Sequence, residues 1–235
     1  MNFEEKVFRK ASLIRYFELN AFDAIANKKI KCPTYLSIGQ EFIPATIATI
    51  CETNNIKPML FGQHRNHGWF LSFGGNLEIL IKTLLGQINK MEGSASLQCS
   101  EINMFGHDGF LGSNVAVAVG ACYASKKETI CFFGDAAAEE DYVLASIGWA
   151  STKTLPILFV CEDNNLSILT EKKVRRIWEI SNVAKAFNIQ SFDILDEPKQ
   201  ILNALSNGFC KCPVLLNLRT NRICWHAGSG YDLPK

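Results

Sequence analysis

Apolar residues at Val7, Ala11, Ile14, Phe17, Phe22 and Ile25 recur close to helical spacing, which predicts a first helix from Glu4 to about Asn27. A loop holding Pro33 follows, then a second helix-like run from Glu41 to Cys51. Asn54, Asn55 and Pro58 mark the next connection. Beyond a glycine-bearing stretch, Leu77 to Leu85 has the pattern of an amphipathic helix. Met91 to Gly109 is polar and weakly periodic, and reads as a long loop of the kind that often carries function. Phe110 to Ala124 is the longest apolar run, interrupted by Gly112, Ser113, Asn114 and Gly120. It is too short and too polar to span a bilayer and predicts a buried helix.

The second half alternates regularly. Strands are predicted at Thr129–Phe133, Pro156–Cys161, near Phe192–Leu195 and at Pro213–Leu218. Helices are predicted between them at Ala136–Thr152, near Ile177–Phe187 and at Pro198–Asn207. Strands alternating with helices imply an α/β fold, a mostly parallel sheet with helices on both faces. With no repeat, low-complexity tract or linker, residues 1–235 read as a single domain.

This topology gives two turns a shared address. In a right-handed strand–helix–strand unit, both strands end at the same edge of the sheet. Asp135 follows one strand and Asn164 the next, 29 positions later, which leaves room for a crossover helix. A carboxylate and an amide oxygen can therefore meet in the crevice where such sheets bind ligands. Gly134 permits a tight turn there, and the small residues Ala136, Ala137 and Ala138 let backbone N–H groups approach an anion. One carboxylate, one amide oxygen and a nearby backbone carbonyl suit Mg²⁺ completed by phosphate oxygens and water. The bland alternative is a helix N-cap at Asp135 and a plain turn at Asn164 and Asn165.

Charge and cysteine usage narrow the setting. A formal net charge of +1 calls for neither nucleic acid nor an anionic membrane. The densest basic run, Lys172, Lys173, Arg175 and Arg176, reads as a solvated face, with anion or partner contact as the alternative. The N-terminus lacks the apolar core of a signal peptide. Nine cysteines lie scattered, and the Cys210/Cys212 pair has no second half to complete a zinc site. The expectation is a reduced, cytoplasmic protein.

The stretch from Gly134-Asp135 to Asn164 resembles the thiamine-diphosphate motif. More broadly, the chain resembles the alpha subunit of the decarboxylating component of 2-oxo-acid and acetoin dehydrogenases, nearly from end to end. LIRYFE (13–18), LSIGQE (36–41), HRNHG (64–68), GFLGSNVAVAVGA (109–121), the GD…CEDNN unit and LRTNRICWH (218–226) occur in the family's order. The resemblance implies thiamine diphosphate held through Mg²⁺, with Asp135, Asn164 and the Leu166 carbonyl as metal ligands. It implies Arg65 and His226 on the diphosphate, with His64 beside them, and His226 and His67 at the active centre. It also implies that the Gly109 backbone holds the pyrimidine ring and that Leu111 wedges between the cofactor's two rings. Gly134, Ala136 and Ala137 would complete the cofactor cradle.

The implied chemistry is decarboxylation of a 2-oxo acid, or cleavage of an acetoin-like substrate, with the thiazolium as electron sink. In the family, the glutamate that activates the pyrimidine belongs to a beta subunit. The expected assembly is therefore a heterotetramer of two alpha and two beta chains, with a lipoyl-bearing acyltransferase as further partner. Several positions depart from the pattern: Ala136 stands for glycine, Asp163 for asparagine, His64 for tyrosine and Tyr35 for histidine. Glu140-Asp141 and Ala145 also differ, and the sequence given ends at Lys235, nine residues after His226, as in a short member. These departures keep open a stand-alone two-subunit decarboxylase or transketolase-like C–C ligase, and a non-catalytic subunit. No Gly-x-Gly-x-x-Gly follows any strand, which argues against a dinucleotide-binding domain.

Overall fold

The computed structural model describes residues 1–88, 95–106, 109–209 and 211–232. The chain opens with α1 (Phe3–Ala26), whose start is fixed by a capping box. Asn2 accepts from the Glu5 amide, and the Glu5 carboxylate accepts in return from the Asn2 amide. Then follow α2 (Phe42–Thr53), β1 (Met59–Phe61), α3 (His67–Ser72), α4 (Leu77–Leu84) and β2 (Met104–Phe105). The alternating half comprises α5 (Ser113–Ser125), β3 (Thr129–Gly134), α6 (Asp141–Thr152) and β4 (Ile157–Asp163). A small antiparallel hairpin, β5 (Leu166–Ser167) and β6 (Thr170–Glu171), leads into α7 (Lys172–Arg175). The remainder is α8 (Ile180–Ala186), β7 (Gln190–Leu195), α9 (Pro198–Ala204) and β8 (Val214–Arg219).

Six strands form one parallel sheet in the order β2-β1-β3-β4-β8-β7. Its central strands β3 and β4 are buried and largely apolar on both faces because both faces are covered, whereas the edge strand β7 is only partly buried. Along β3, Ile130 and Phe132 point into the core shared with α1 to α4 and α9, whereas Cys131 and Phe133 enter the core under α5, α6 and α8. That alternation is the two-residue period of a strand. The expected α/β architecture is therefore the observed one.

Several expectations are corrected. The predicted buried helix at 110–124 is α5, with one face in the core and the other exposed, Val117 at 56% and Tyr123 at 43%. The helix expected from Ala136 splits into a 3-10 turn at Ala137–Glu139 and α6, because Glu140 is extended between them. The glycine-bearing stretch after Pro58 holds β1 and α3. The expected loop at 91–109 contains β2, while its residues 91–94, 107 and 108 lie outside the described residues, as does Cys210. Among the described residues, no helix is long and apolar enough to cross a membrane.

Candidate functional site

Strand register builds the site. Gly134 on β3 is paired with Glu162 on β4, so Asp135 emerges beside Asp163 and Asn164 follows at the same edge. Asn165 takes a left-handed backbone, φ 67°, which turns the chain into the β5–β6 hairpin. The turn is locked twice: Asp163 accepts from the Asn165 amide at 3.0 Å, and Asn164 Oδ1 accepts from the Leu166 amide at 3.1 Å. Asp135 caps no helix, since Ala136 precedes the 3-10 turn and Glu140 precedes α6.

Asp135, Asn164 and Leu166 share a cavity of about 330 Å³ at the carboxyl edge of the sheet. Its walls also carry Gly134, Ala136 and Ala137 from the turn after β3, His64 and Arg65 from the turn after β1, Gly109 and Leu111 from the segment before α5, and His226. All the residues expected at the site except one thus meet in one place. The exception is His67, which begins α3 and is fully buried on the other side of its motif. Its Nδ1 lies 3.3 Å from the buried Glu18 carboxylate, and its ring meets the edge of Phe17 at 5.5 Å. The helical turn from Asn66 carries it away from the cavity that His64 and Arg65 line. A groove of about 590 Å³ at α1 and α9 is larger, but it is lined mainly by Phe3, Val7, Phe8, Phe42 and Leu202, with Glu4, Glu197 and Lys199 beside them, and holds none of the expected site residues. Volume alone does not mark a site.

Electrostatics divide the cavity into two ends. At one end, burial and the neighbouring Asp163 push the Asp135 carboxyl up to about 6, against the pull of Arg175 and Arg176. A cation there relieves that cost. At the other end, burial holds His226 down near 4, reinforced by Arg65 and Arg222, so its ring is neutral at pH 7. Burial lowers Arg65 to about 10, leaving it charged; it donates to the carbonyls of Leu36 and His226, the latter at 3.3 Å. The rings of Tyr35, His64 and His226 pack against one another at centroid distances of 4.5 to 5.2 Å.

The donor set fits a hard divalent cation that arrives with an anionic ligand. It offers one carboxylate, one amide oxygen and one main-chain carbonyl, all oxygen and too few to close an octahedron. Consistently, no group of three or more His, Cys, Asp or Glu among the described residues could hold a metal unaided. Arg65, His64 and the neutral His226 supply donors for the anion. Gly109, at φ 96°, lines the cavity in a backbone conformation that side chains rarely adopt. Leu111 also lines it, partly exposed, with its carbonyl held by the Tyr142 hydroxyl.

Two features are not apparent from the sequence pattern. Arg222 lines the cavity, chelating Asp232 at 2.6 and 3.0 Å and donating to the Ile168 carbonyl at 2.8 Å. It thus ties the hairpin to the His226 loop, and its place four residues before His226 is the signal that could have found it. The basic run at 172–176 is also not a solvated face, except at Lys173, which is 77% exposed. Lys172 pairs with Asp163, Arg175 with Asp135 and Glu139, and Arg176 with Glu139 and the Asp135 carbonyl.

A profile of the family described as "Dehydrogenase E1 component" matches residues 9–195. The chain is 24% identical over 236 residues to pyruvate dehydrogenase E1 component subunit alpha-1 of Oryza sativa subsp. japonica, covering 94% of this chain and 60% of that protein. It is 29% identical over 168 residues to the corresponding subunit of Chaetomium thermophilum, covering 67% of this chain and 39% of the relative. It therefore spans between two fifths and three fifths of these relatives' length. Among solved structures, transketolase from Campylobacter jejuni superposes with a TM-score of 0.70 at 17% identity, covering 92% of this chain and 38% of that one. Transketolase from Leishmania mexicana does so at 0.66, with 16% identity over 91% of this chain and 36% of that one. The architecture is the one these proteins share, and with four fifths of its length matched by one family, the chain belongs to the dehydrogenase E1 components.

Proposed function

We infer that this chain is the alpha subunit of a thiamine-diphosphate-dependent enzyme that binds the cofactor's diphosphate through Mg²⁺ and decarboxylates a 2-oxo acid. One observation carries the reading: residues from five separated segments meet in one cavity with a cation-seeking carboxylate at one end and anion donors at the other. Asp135, Asn164 and the Leu166 carbonyl would hold the metal, and Arg65, His64 and His226 the diphosphate. Bound there, the cofactor supplies a nucleophilic carbon and an electron sink for decarboxylation. The chain's own residues bind, orient and exclude water. Leu111, on the cavity wall, would set the cofactor's bend, and Gly109 would offer backbone to its pyrimidine. His226, neutral at pH 7, can donate one hydrogen bond while accepting another, as a group beside both diphosphate and substrate must.

A beta subunit completes the reading. Asp135 is the one carboxylate among the described residues lining the cavity, and the metal claims it. The glutamate that activates the pyrimidine would therefore come from a partner, in a heterotetramer of two alpha and two beta chains. The exposed faces of α5 and α6 support this, with Val117, Tyr123 and Trp149 outward and Phe110 and Leu111 at the cavity end. α5 carries no charged residue. Tyr35, a departure from the family's histidine that packs on both His64 and His226, keeps open a second reading: a two-subunit decarboxylase or C–C ligase that passes its product to an acceptor other than lipoamide.

Titration calorimetry of the alpha–beta pair tests the site: Asp135→Ala and Asn164→Ala should each abolish Mg²⁺-dependent binding of thiamine diphosphate. Unchanged affinity in both would remove the assignment. Product analysis with and without lipoamide separates the two enzymatic readings, since reductive acylation excludes the second.

A further inference from the structure

The hairpin after β4 delivers three cations to the carboxyl edge of the sheet, and they do not do the same thing. Lys172 neutralises Asp163 and reaches Glu179 at 2.9 Å. Arg176 is fixed by the backbone: it donates to the Asp135 carbonyl, meets Glu139 at 2.8 Å and lies over the Trp178 ring at 4.7 Å. Arg175 alone grips the Asp135 side chain. Its Nη2 is on Asp135 Oδ2 and its Nη1 on Glu139, while its buried Nε has no hydrogen-bond partner among the described residues.

The grip falls on the carboxylate assigned to the metal. A guanidinium and a divalent cation on one buried carboxylate repel strongly where water is excluded. Without either, Asp135 would be an unpaired buried charge beside Asp163. Glu139 is more exposed than Asp135, 27% against 1%, and offers Arg175 a partner to keep when it lets go. Nothing that fixes Arg176 needs to change.

We propose that Arg175 is a built-in counter-ion, standing where the cation will stand in the cofactor-free chain, and that metal–diphosphate loading displaces it onto Glu139 and loosens α7. The inference rests on the reading of the cavity as a metal–diphosphate site. It makes residues 172–176 a sensor of cofactor occupancy, and it makes the free metal a poor ligand until diphosphate accompanies it.

Mn²⁺ binding to the alpha–beta pair, followed by the loss of the free-ion paramagnetic resonance signal, provides the test. Arg175→Gln should bind Mn²⁺ without cofactor about tenfold tighter than wild type, and Arg175→Lys should stay near wild type. Hydrogen exchange on the wild-type pair needs no variant: amides of 172–177 should exchange faster once Mn²⁺ and thiamine diphosphate are both added. An Arg175→Gln protein that binds Mn²⁺ no tighter, or exchange that is unchanged or slower on loading, overturns the role of Arg175. In that case the metal would use Oδ1 while Arg175 keeps Oδ2. Loss of Mn²⁺ binding in Asp135→Asn alongside that result leaves the site reading standing. No Mn²⁺ binding to wild type even with thiamine diphosphate overturns both.

Discussion

Glu162 offers a test of the polar layer beneath the cavity that needs no cofactor. It lies on β4 one residue before Asp163, is 2% exposed, and accepts from Trp69 Nε1 at 2.9 Å and from Gln63 Nε2. Burial pushes its carboxyl from the ordinary 4.5 up to about 7, against the opposing pull of Trp69, Gln63 and Arg65. The folded chain therefore holds a proton that the unfolded chain releases between those values. Its contribution to stability is complete below pH 4.5 and is lost as pH rises through 7. At about 1.4 kcal/mol per pH unit, ionisation of Glu162 costs about 3 kcal/mol by pH 8.

Glu162→Gln removes that proton from the balance. Trp69 keeps an oxygen acceptor, and Gln63 can turn its amide so that its oxygen accepts from the new amide nitrogen. Urea unfolding of the cofactor-free chain at pH 5, 6, 7 and 8 should give a variant-minus-wild-type difference that grows by about 2.5 kcal/mol from pH 5 to pH 8. Taking the difference cancels His226 and Asp135, which titrate in both proteins. A difference independent of pH would refute the reasoning, because it would mean that Glu162 is ionised throughout the range.

Three further outcomes follow from the same geometry. His67→Ala should cost about 2 kcal/mol or more in thermal unfolding, because it empties a fully buried site and leaves the Glu18 carboxylate with the Ser37 amide, and should leave thiamine-diphosphate affinity unchanged; a selective loss of affinity would return His67 to the active site. Gly112→Ala should cost about 1–3 kcal/mol in urea unfolding, since φ is 80° and the added Cβ falls 2.7 Å from Val143 Cγ2; wild-type stability would contradict the need for glycine at that turn. Leu111→Ala in the assembled pair should lower kcat about 100-fold with a smaller change in cofactor Kd, because the lost wall misorients the cofactor more than it unbinds it; equal losses in both would make Leu111 a simple contact.

What is legible in the sequence is what neighbours in sequence decide. The apolar runs of β3 and β4 are readable because a strand buried on both faces needs no alternation, and the turn residues Gly134, Asp135 and Asn164 follow from where such strands end. β1 is not readable: three residues are too few for a period, and they become a strand only by pairing with β2 and β3. The exposed face of α5 is hidden for a related reason, since a helix so uniformly apolar carries no sign of which side meets the sheet. His67 shows the limit of motif transfer, because His64 and Arg65 leave a strand end while His67 already belongs to a helix turning the other way.

The basic run misleads for a reason that bears on mechanism. Four cations in five residues look like a solvated face because the partners of three of them, Asp135, Glu139 and Asp163, lie outside the run. The strand register collects two of those carboxylates before any ligand arrives: pairing Gly134 with Glu162 puts Asp135 beside Asp163. Two buried carboxylates side by side cannot both stay ionised without cations. The fold therefore needs positive charge at this edge, and the hairpin after Asn164 is the nearest segment able to bring it. Lys172 and Arg176 provide it permanently, through contacts that a ligand at Asp135 Oδ2 leaves untouched. Arg175 provides it on the one oxygen that an incoming cation would also claim. On the proposed reading, balancing the two carboxylates and receiving the metal are thus one electrostatic problem, with Arg175 the cation that gives way.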